Sequence, residues 1–332
     1  MRSLADQVIV ITGASSGIGR ATALAAADAG ARVVLAARGK AALTAVREAI
    51  ETAGGEALTV PADVADFGQV EALGLAAVAR FGRINTWVNC AGISVYGELA
   101  DVDPAEFRRV IEVDLLGPVH GAKVALAQMR TQPEGGTIVN VSSGLGDRAV
   151  PLQSAYCAAK RGLNGFGEAL RMELEHGNVP VRVTTVKPAS IDTPFFRHAR
   201  SKTGAAPSPV PPVYAPELVA EAILFAATHP VRDLPVGGAS TALSVLEKVA
   251  PRLLDRQLAL AAYPLQQEER PKDAAAADNL VLASSGPATT GGGYGGRRFS
   301  LDTWLRLHPP ARRLALAGSV IGGLVALQAR RR

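Results

Sequence analysis

A doubly wound α/β fold built on a parallel sheet is predicted from three observations. Short apolar runs alternate with longer Ala-rich stretches from residue 7 to about residue 187. The runs are nearly continuous in their apolar character, as expected of strands covered on both faces. The first run, Val8–Ile11, leads straight into the glycine-rich turn Thr12-Gly13-Ala14-Ser15-Ser16-Gly17-Ile18-Gly19 and then into a helix-like stretch. In such sheets ligands bind beyond the carboxyl ends of the strands, near the point where strand order reverses.

Taken in order, strands are predicted at Val8–Ile11, Arg32–Ala36, Ala57–Val60, Thr86–Asn89, Thr137–Val141 and Val181–Val186. Helices are predicted over Gly17–Ala29, Lys40–Ala53, Phe67–Phe81, Pro104–Arg130 and Ala155–His176. Regular alternation of this kind is the signature of βαβ units. After Pro188 the pattern changes. Thr203–Pro212 holds five prolines or glycines in ten residues and reads as a semi-rigid or mobile loop. A helix is expected from Pro216 to about Thr228, and a helical pattern returns from about Leu243 to Leu260. Residues 263–300 are polar and then rich in Ala, Ser, Thr and Gly, which reads as a linker between a main domain at 1–262 and a tail at 301–332.

The chain has 332 residues, 48% of them apolar and 20% charged, which excludes disorder throughout. Its net charge of +5 is a local property. Eight arginines and a single acid, Asp302, fall between Arg297 and Arg332, and the remainder of the chain is at −2. The main body therefore gives no reason to expect nucleic-acid binding. Cys90 and Cys157 lie far apart and without metal-ligand spacing, so neither a metal site nor a disulfide framework is expected. No secretory leader is recognisable before the first strand, and a cytoplasmic location is expected. Residues 314–327 carry no charge and are flanked by arginines on both sides. The run is shorter than the roughly 18–20 residues of a spanning helix. It is a candidate membrane contact, with docking on the main domain or on a partner as the alternative.

Two motifs carry chemistry. The glycine turn lets backbone N–H groups and a helix N-terminus approach a pyrophosphate, with the bland alternative of a structural strand–helix turn. Tyr156 and Lys160 are four residues apart, hence on one face of the predicted helix. An ammonium beside a phenol favours the phenolate and lowers the tyrosine pKa, which makes a proton donor useful near neutral pH.

The spacing TGxxxGxG of the glycine turn, with four further motifs in order, resembles the short-chain dehydrogenase/reductase family over roughly residues 5–240. Asn89-Cys90-Ala91-Gly92 stands where that family has NNAG. Ser143 precedes Tyr156 by thirteen residues, Tyr156 and Lys160 match YxxxK, and Pro188-Ala189-Ser190-Ile191-Asp192-Thr193 resembles PGxxxT. The resemblance implies a single Rossmann-like main domain, a nicotinamide cofactor and a small carbonyl or alcohol substrate. Tyr156 would be the acid/base, Lys160 would lower its pKa and hold the ribose, and Ser143 would donate to the substrate oxygen. Gly13, Ser15, Ser16, Gly17, Ile18, Gly19, Asp63, Val64, Asn89, Ala91, Gly92, Pro188, Ile191 and Thr193 would join Tyr156 and Lys160 around the cofactor. A homo-oligomer is also implied.

The chain departs from that pattern at two positions. Asp114, in Val113-Asp114-Leu115-Leu116-Gly117, stands where the family's catalytic set has asparagine, and Ala189 replaces the glycine of PG. Cofactor choice is read at Ala37-Arg38, after the second strand. No carboxylate is available there for a ribose 2′-hydroxyl, and Arg38 can pair with a 2′-phosphate, so NADP is expected over NAD. Asp114 and Ala189 keep a second reading open, a non-catalytic NADP-binding redox sensor or scaffold tethered by its tail.

Overall fold

The computed structural model describes residues 2–273, 275–284 and 286–311. The uncharged run 314–327 lies outside the described residues.

Seven parallel strands form the central sheet: β1 (Val8–Thr12), β2 (Arg32–Ala37), β3 (Ala57–Pro61), β4 (Thr86–Asn89), β5 (Gly136–Val141), β6 (Val181–Pro188) and β7 (Asp233–Val236). Their order is β7-β6-β5-β4-β1-β2-β3. Val10 of β1 pairs with Val34 on one side and Trp87 on the other. The chain thus reverses direction across the sheet between β1 and β4, and a crevice opens there at the carboxyl ends.

Successive side chains of each strand point to opposite faces, so a continuous apolar strand feeds two cores at once. Val8, Val10, Val34, Trp87 and Ile138 pack with Leu73, Ala125 and Leu170 on one face. Ile9, Ile11, Leu35, Val88 and Val139 pack with Ala23, Leu43 and Ile223 on the other. The covering helices are α1 (Gly17–Asp28), α2 (Lys40–Thr52), α3 (Phe67–Phe81), α4 (Pro104–Ile111), α5 (Gly117–Met129), α6 (Ser154–His176) and α7 (Pro216–Thr228). Asp66 caps α3 by accepting from the Gln69 N–H, and Asp103 and Glu106 form a capping box on α4.

Three expectations change. The helix predicted over Pro104–Arg130 is interrupted by one π-helical turn at Glu112–Leu116, between α4 and α5. The pattern at 243–260 is a hairpin of two helices, α8 (Gly238–Val249) and α9 (Pro251–Leu265), because Pro251 starts a new helix rather than continuing the old one. Most substantially, the segment read as a linker is packed onto the domain. Gln267–Pro271 pairs antiparallel with Ala205–Pro207, inside the stretch expected as a loop. The Asp192 carboxylate accepts from the N–H groups of Gly292, Tyr294 and Gly296 at 2.8–3.1 Å. A final helix, α10 (Leu301–Leu307), buries Thr303 and Leu307, and the Thr303 hydroxyl accepts from the Gly237 N–H. Residues 301–307 are therefore part of the domain, not of a detached tail.

Candidate active site

The glycine turn follows β1 and enters α1. Gly13 has φ +70°, and a Cβ there would stand 2.8 Å from the Ala91 backbone. A Cβ at Gly19 would overlap the Gly13 carbonyl. Both positions therefore require glycine for backbone reasons. The Thr12 hydroxyl accepts from the N–H groups of Cys90 and Ala91 at 3.0 and 3.3 Å, which ties the turn to the end of β4. Ser16, Gly17, Ile18 and Gly19 line one cavity of the crevice, and Gly13, Ser15 and Ser16 line a second. No acidic side chain lies in the first turn of α1. A small-residue cradle at a helix N-terminus, with two hydroxyls beside it, fits the pyrophosphate of a dinucleotide.

The catalytic candidates come from three elements. Ser143 follows β5, its Oγ accepting from the Leu145 N–H at 3.1 Å. Its neighbour Ser142 donates to Asn164 on α6 at 2.7 Å, which fixes the β5 end against the helix that carries Tyr156 and Lys160. Lys160 Nζ lies 5.3 Å from the centre of the Tyr156 ring and donates to the Val141 carbonyl at 3.2 Å. Asp114 sits in the π turn with no exposed surface. One carboxylate oxygen accepts from the Ile93 N–H at 2.9 Å, and the other pairs with Lys160 Nζ at 3.2 Å. A π turn changes the phase of the helix locally and is a device often found at functional sites. Here it carries the carboxylate that meets the lysine.

Electrostatics follow from burial. Desolvation pushes the Tyr156 phenol above its ordinary value; Lys160 pulls it down and Asp114 pushes it up. Burial outweighs the lysine, so the phenol is held in its protonated form. Burial pulls Lys160 down, and Asp114 with Tyr156 more than reverses that, holding it above its usual range. Asp114 itself is raised by desolvation, with Lys160 opposing.

Ser143, Tyr156 and Lys160 share the wall of a cavity of about 470 Å³ with Pro188, Ile191 and Thr193. Most of the remaining lining is apolar, with Tyr96, Val150, Phe195, Val210, and Leu243 and Leu258 from the α8–α9 hairpin, and Gln153, His198, Ser208 and Gln266 set among them. The Phe195 ring stands 5.6 Å from the Tyr156 ring. Lys160 is the one Lys, Arg, Asp or Glu on this wall among the described residues. A smaller cavity of about 110 Å³ adjoins it and is lined by Arg38, Asp63, Val64, Ala91 and Gly92.

The crevice thus gathers nearly every residue expected there. Asn89 is the exception among the cofactor candidates. Its side chain is buried, accepts from the Trp87 indole at 2.8 Å and donates to Asn140 and the Pro118 carbonyl, so it ties β4 to β5 and α5 rather than facing the crevice. Arg38 lines the smaller cavity, yet its guanidinium donates to the carbonyls of Asn279, Val281 and Leu280 at 2.5, 2.8 and 3.4 Å. Sequence reasoning missed this segment because backbone carbonyls leave no mark in residue type.

The short chain dehydrogenase family profile matches residues 7–204. The chain belongs to the short-chain dehydrogenase/reductase family: it is an oxidoreductase whose fold binds a nicotinamide cofactor and acts on a small molecule. Among its relatives, the uncharacterized oxidoreductase YxnA of Bacillus subtilis is 39% identical over 337 residues, covering 100% of this chain and 92% of that protein. A Burkholderia phymatum short-chain dehydrogenase/reductase in complex with NAD has a TM-score of 0.70 at 27% identity, covering 76% of this chain and 97% of that one. An alcohol dehydrogenase from Thermococcus sibiricus with 5-hydroxy-NADP has a TM-score of 0.61 at 28% identity, covering 69% and 95%.

Proposed function

We propose that the chain transfers hydride between NADP(H) and an uncharged, bulky carbonyl or secondary alcohol, with Tyr156 as the acid/base. The observation that carries this reading is the convergence of Ser143, Tyr156 and Lys160 on one wall of the larger cavity, beside the glycine turn. When bound, the nicotinamide supplies or accepts the hydride. Ser143 Oγ holds the substrate oxygen where negative charge develops. Tyr156 delivers the proton in reduction and takes it back in oxidation. Lys160 stabilises the phenolate left behind, and Asp114 keeps the lysine charged in a buried position. The largely apolar lining, which besides Lys160 holds no Lys, Arg, Asp or Glu among the described residues, supports the substrate class.

Support for NADP comes from Ala37-Arg38: no carboxylate is there to receive a 2′-hydroxyl, and a guanidinium lies within the adenosine-side cavity. The test is dissociation constants for NADPH and NADH in the wild type and in Arg38→Ala. The variant should lower the affinity for NADPH relative to NADH by about tenfold or more, a charge-assisted pair being worth roughly 1.5–3 kcal/mol. Equal affinities before and after would remove the NADP preference.

A homo-oligomer formed through the long helices α5 and α6 is part of the same proposal, as is a membrane contact by residues 314–327. The uncharged run between arginines supports the latter. Among the described residues no helix is long and apolar enough to cross a membrane. Sedimentation of the full chain with anionic vesicles, lost when the chain ends at residue 311, is the expected result; full-length protein that stays in the supernatant would contradict it.

A further inference from the structure

Residues 278–284 and 286–292 run along the adenosine side of the crevice and are held there at both ends and in the middle. Asp278 pairs with Arg200 at 2.6 Å. Leu280 is 1% exposed and belongs to the same apolar cluster as Val64, Val110 and Val113. Its carbonyl also accepts from Arg109, which pairs with Asp63. Further along, the Thr289 carbonyl accepts from the N–H of Gly17 at 3.0 Å, and Arg20 donates to the Thr290 hydroxyl at 2.5 Å. Asp192 gathers the N–H groups that follow.

Two of these contacts use groups that suit a dinucleotide. The Gly17 N–H belongs to the glycine turn, and Arg38 is the one Lys or Arg lining the smaller cavity among the described residues. Both are occupied by carbonyl oxygens of this segment. The cavity on the adenosine side is about 110 Å³, and Asn279, Ala283, Ser284, Gly286 and Pro287 of this segment form part of its lining.

We propose that this C-terminal segment is a strap across the cofactor site, latched by Arg38 on the carbonyls of Asn279, Leu280 and Val281, and that it must lift for a dinucleotide to enter or leave. The proposal rests on the reading of the crevice as a dinucleotide site. Exchange of the cofactor is then limited by strap opening rather than by diffusion, and a 2′-phosphate contends with the strap for the same guanidinium.

The strap can be locked. A Cβ at Gly39 would lie 3.6 Å from the Ala283 Cβ, within the range of about 3.5–4.5 Å for a disulfide. Gly39 has φ −83°, which a cysteine adopts freely. In the full chain carrying Gly39→Cys and Ala283→Cys, oxidation should slow NADPH and NADH binding by about tenfold or more, read by nicotinamide fluorescence. Dinucleotide loaded before oxidation should stay bound through gel filtration, and dithiothreitol should reverse both effects. Wild type treated alike controls for Cys90 and Cys157. Binding and release at unchanged rates, with the crosslink verified by mass, would overturn the strap. Leu280→Ala, which removes only buried apolar packing of the strap, should release NADPH faster than wild type; release at the wild-type rate would count against the strap as well. Failure of wild type and reduced variant alike to bind either dinucleotide would overturn the crevice assignment and the strap together, a result distinct from the other two.

Discussion

At the scale of single residues, the site turns on a buried pair. Asp114 and Lys160 are charged groups withdrawn from water, and each offsets part of the other's cost of burial. The carboxylate has a cost for catalysis, because it raises the Tyr156 pKa that Lys160 lowers. The amide of Asp114→Asn keeps an oxygen for the Ile93 N–H and removes the charge. Reduction needs the phenol protonated, so its rate is full below the Tyr156 pKa and falls as pH rises through it. With the carboxylate gone, the Tyr156 pKa drops and that alkaline limb should move to lower pH in a profile of kcat/KM. A limb that stays in place would mean that Asp114 has no electrostatic grip on the phenol. Tyr156, Lys160 and Ser143 were legible as residue types at fixed spacings, since one helical turn and one strand-to-helix interval dictate where they stand. The Asp114 contact depends on a π turn, and five residues of ordinary helical composition do not announce one. Asn89 shows the converse: it sits in the expected motif, but the alternation of the strand directs its side chain into the β4–β5 packing.

At the scale of elements, the α8–α9 hairpin closes the substrate cavity and is tethered from below. Arg148, at the end of the turn that carries Ser143, pairs with Glu247 at 2.5 Å and Asp255 at 2.6 Å, one partner on each helix. The tether links Ser143, which is proposed to hold the substrate oxygen, to the apolar hairpin. Arg148→Ala should loosen the roof while leaving the proton donor in place, so KM for bulky substrates should rise with kcat largely kept. A loss confined to kcat would show that Arg148 acts on the chemistry instead. The sheet strands were readable because each feeds two cores and is apolar throughout. The hairpin was blurred into one helix because both of its helices share the same amphipathic rhythm, with Pro251 the single break.

At the scale of the whole molecule, the domain does not end where its composition changes. A Gly- and Ala-rich stretch reads as a linker when judged by side chains, yet here its backbone supplies hydrogen bonds to Arg38, Arg109, Gly17 and Asp192, and α10 packs beyond it. A chain cut after residue 262 loses Leu280 and Leu307 from the core, each worth about 1.5–3 kcal/mol when buried. Urea unfolding should place it several kcal/mol below the full chain, whereas a chain ending at residue 311 should unfold like the full one. Equal midpoints for all three would return residues 263–300 to the status of a linker and 301–307 to that of a tail.

The measurement that bears most directly on the whole account is consumption of NADPH by the purified full chain across a panel of bulky, uncharged ketones and aldehydes, with Tyr156→Phe alongside. The proposed function requires turnover by the wild type that falls by about 10²–10⁴ in the variant, while NADPH still binds. Turnover that survives the loss of the phenol hydroxyl, or tight NADPH binding with no turnover of any carbonyl in either protein, would contradict it, the latter in favour of a dinucleotide sensor.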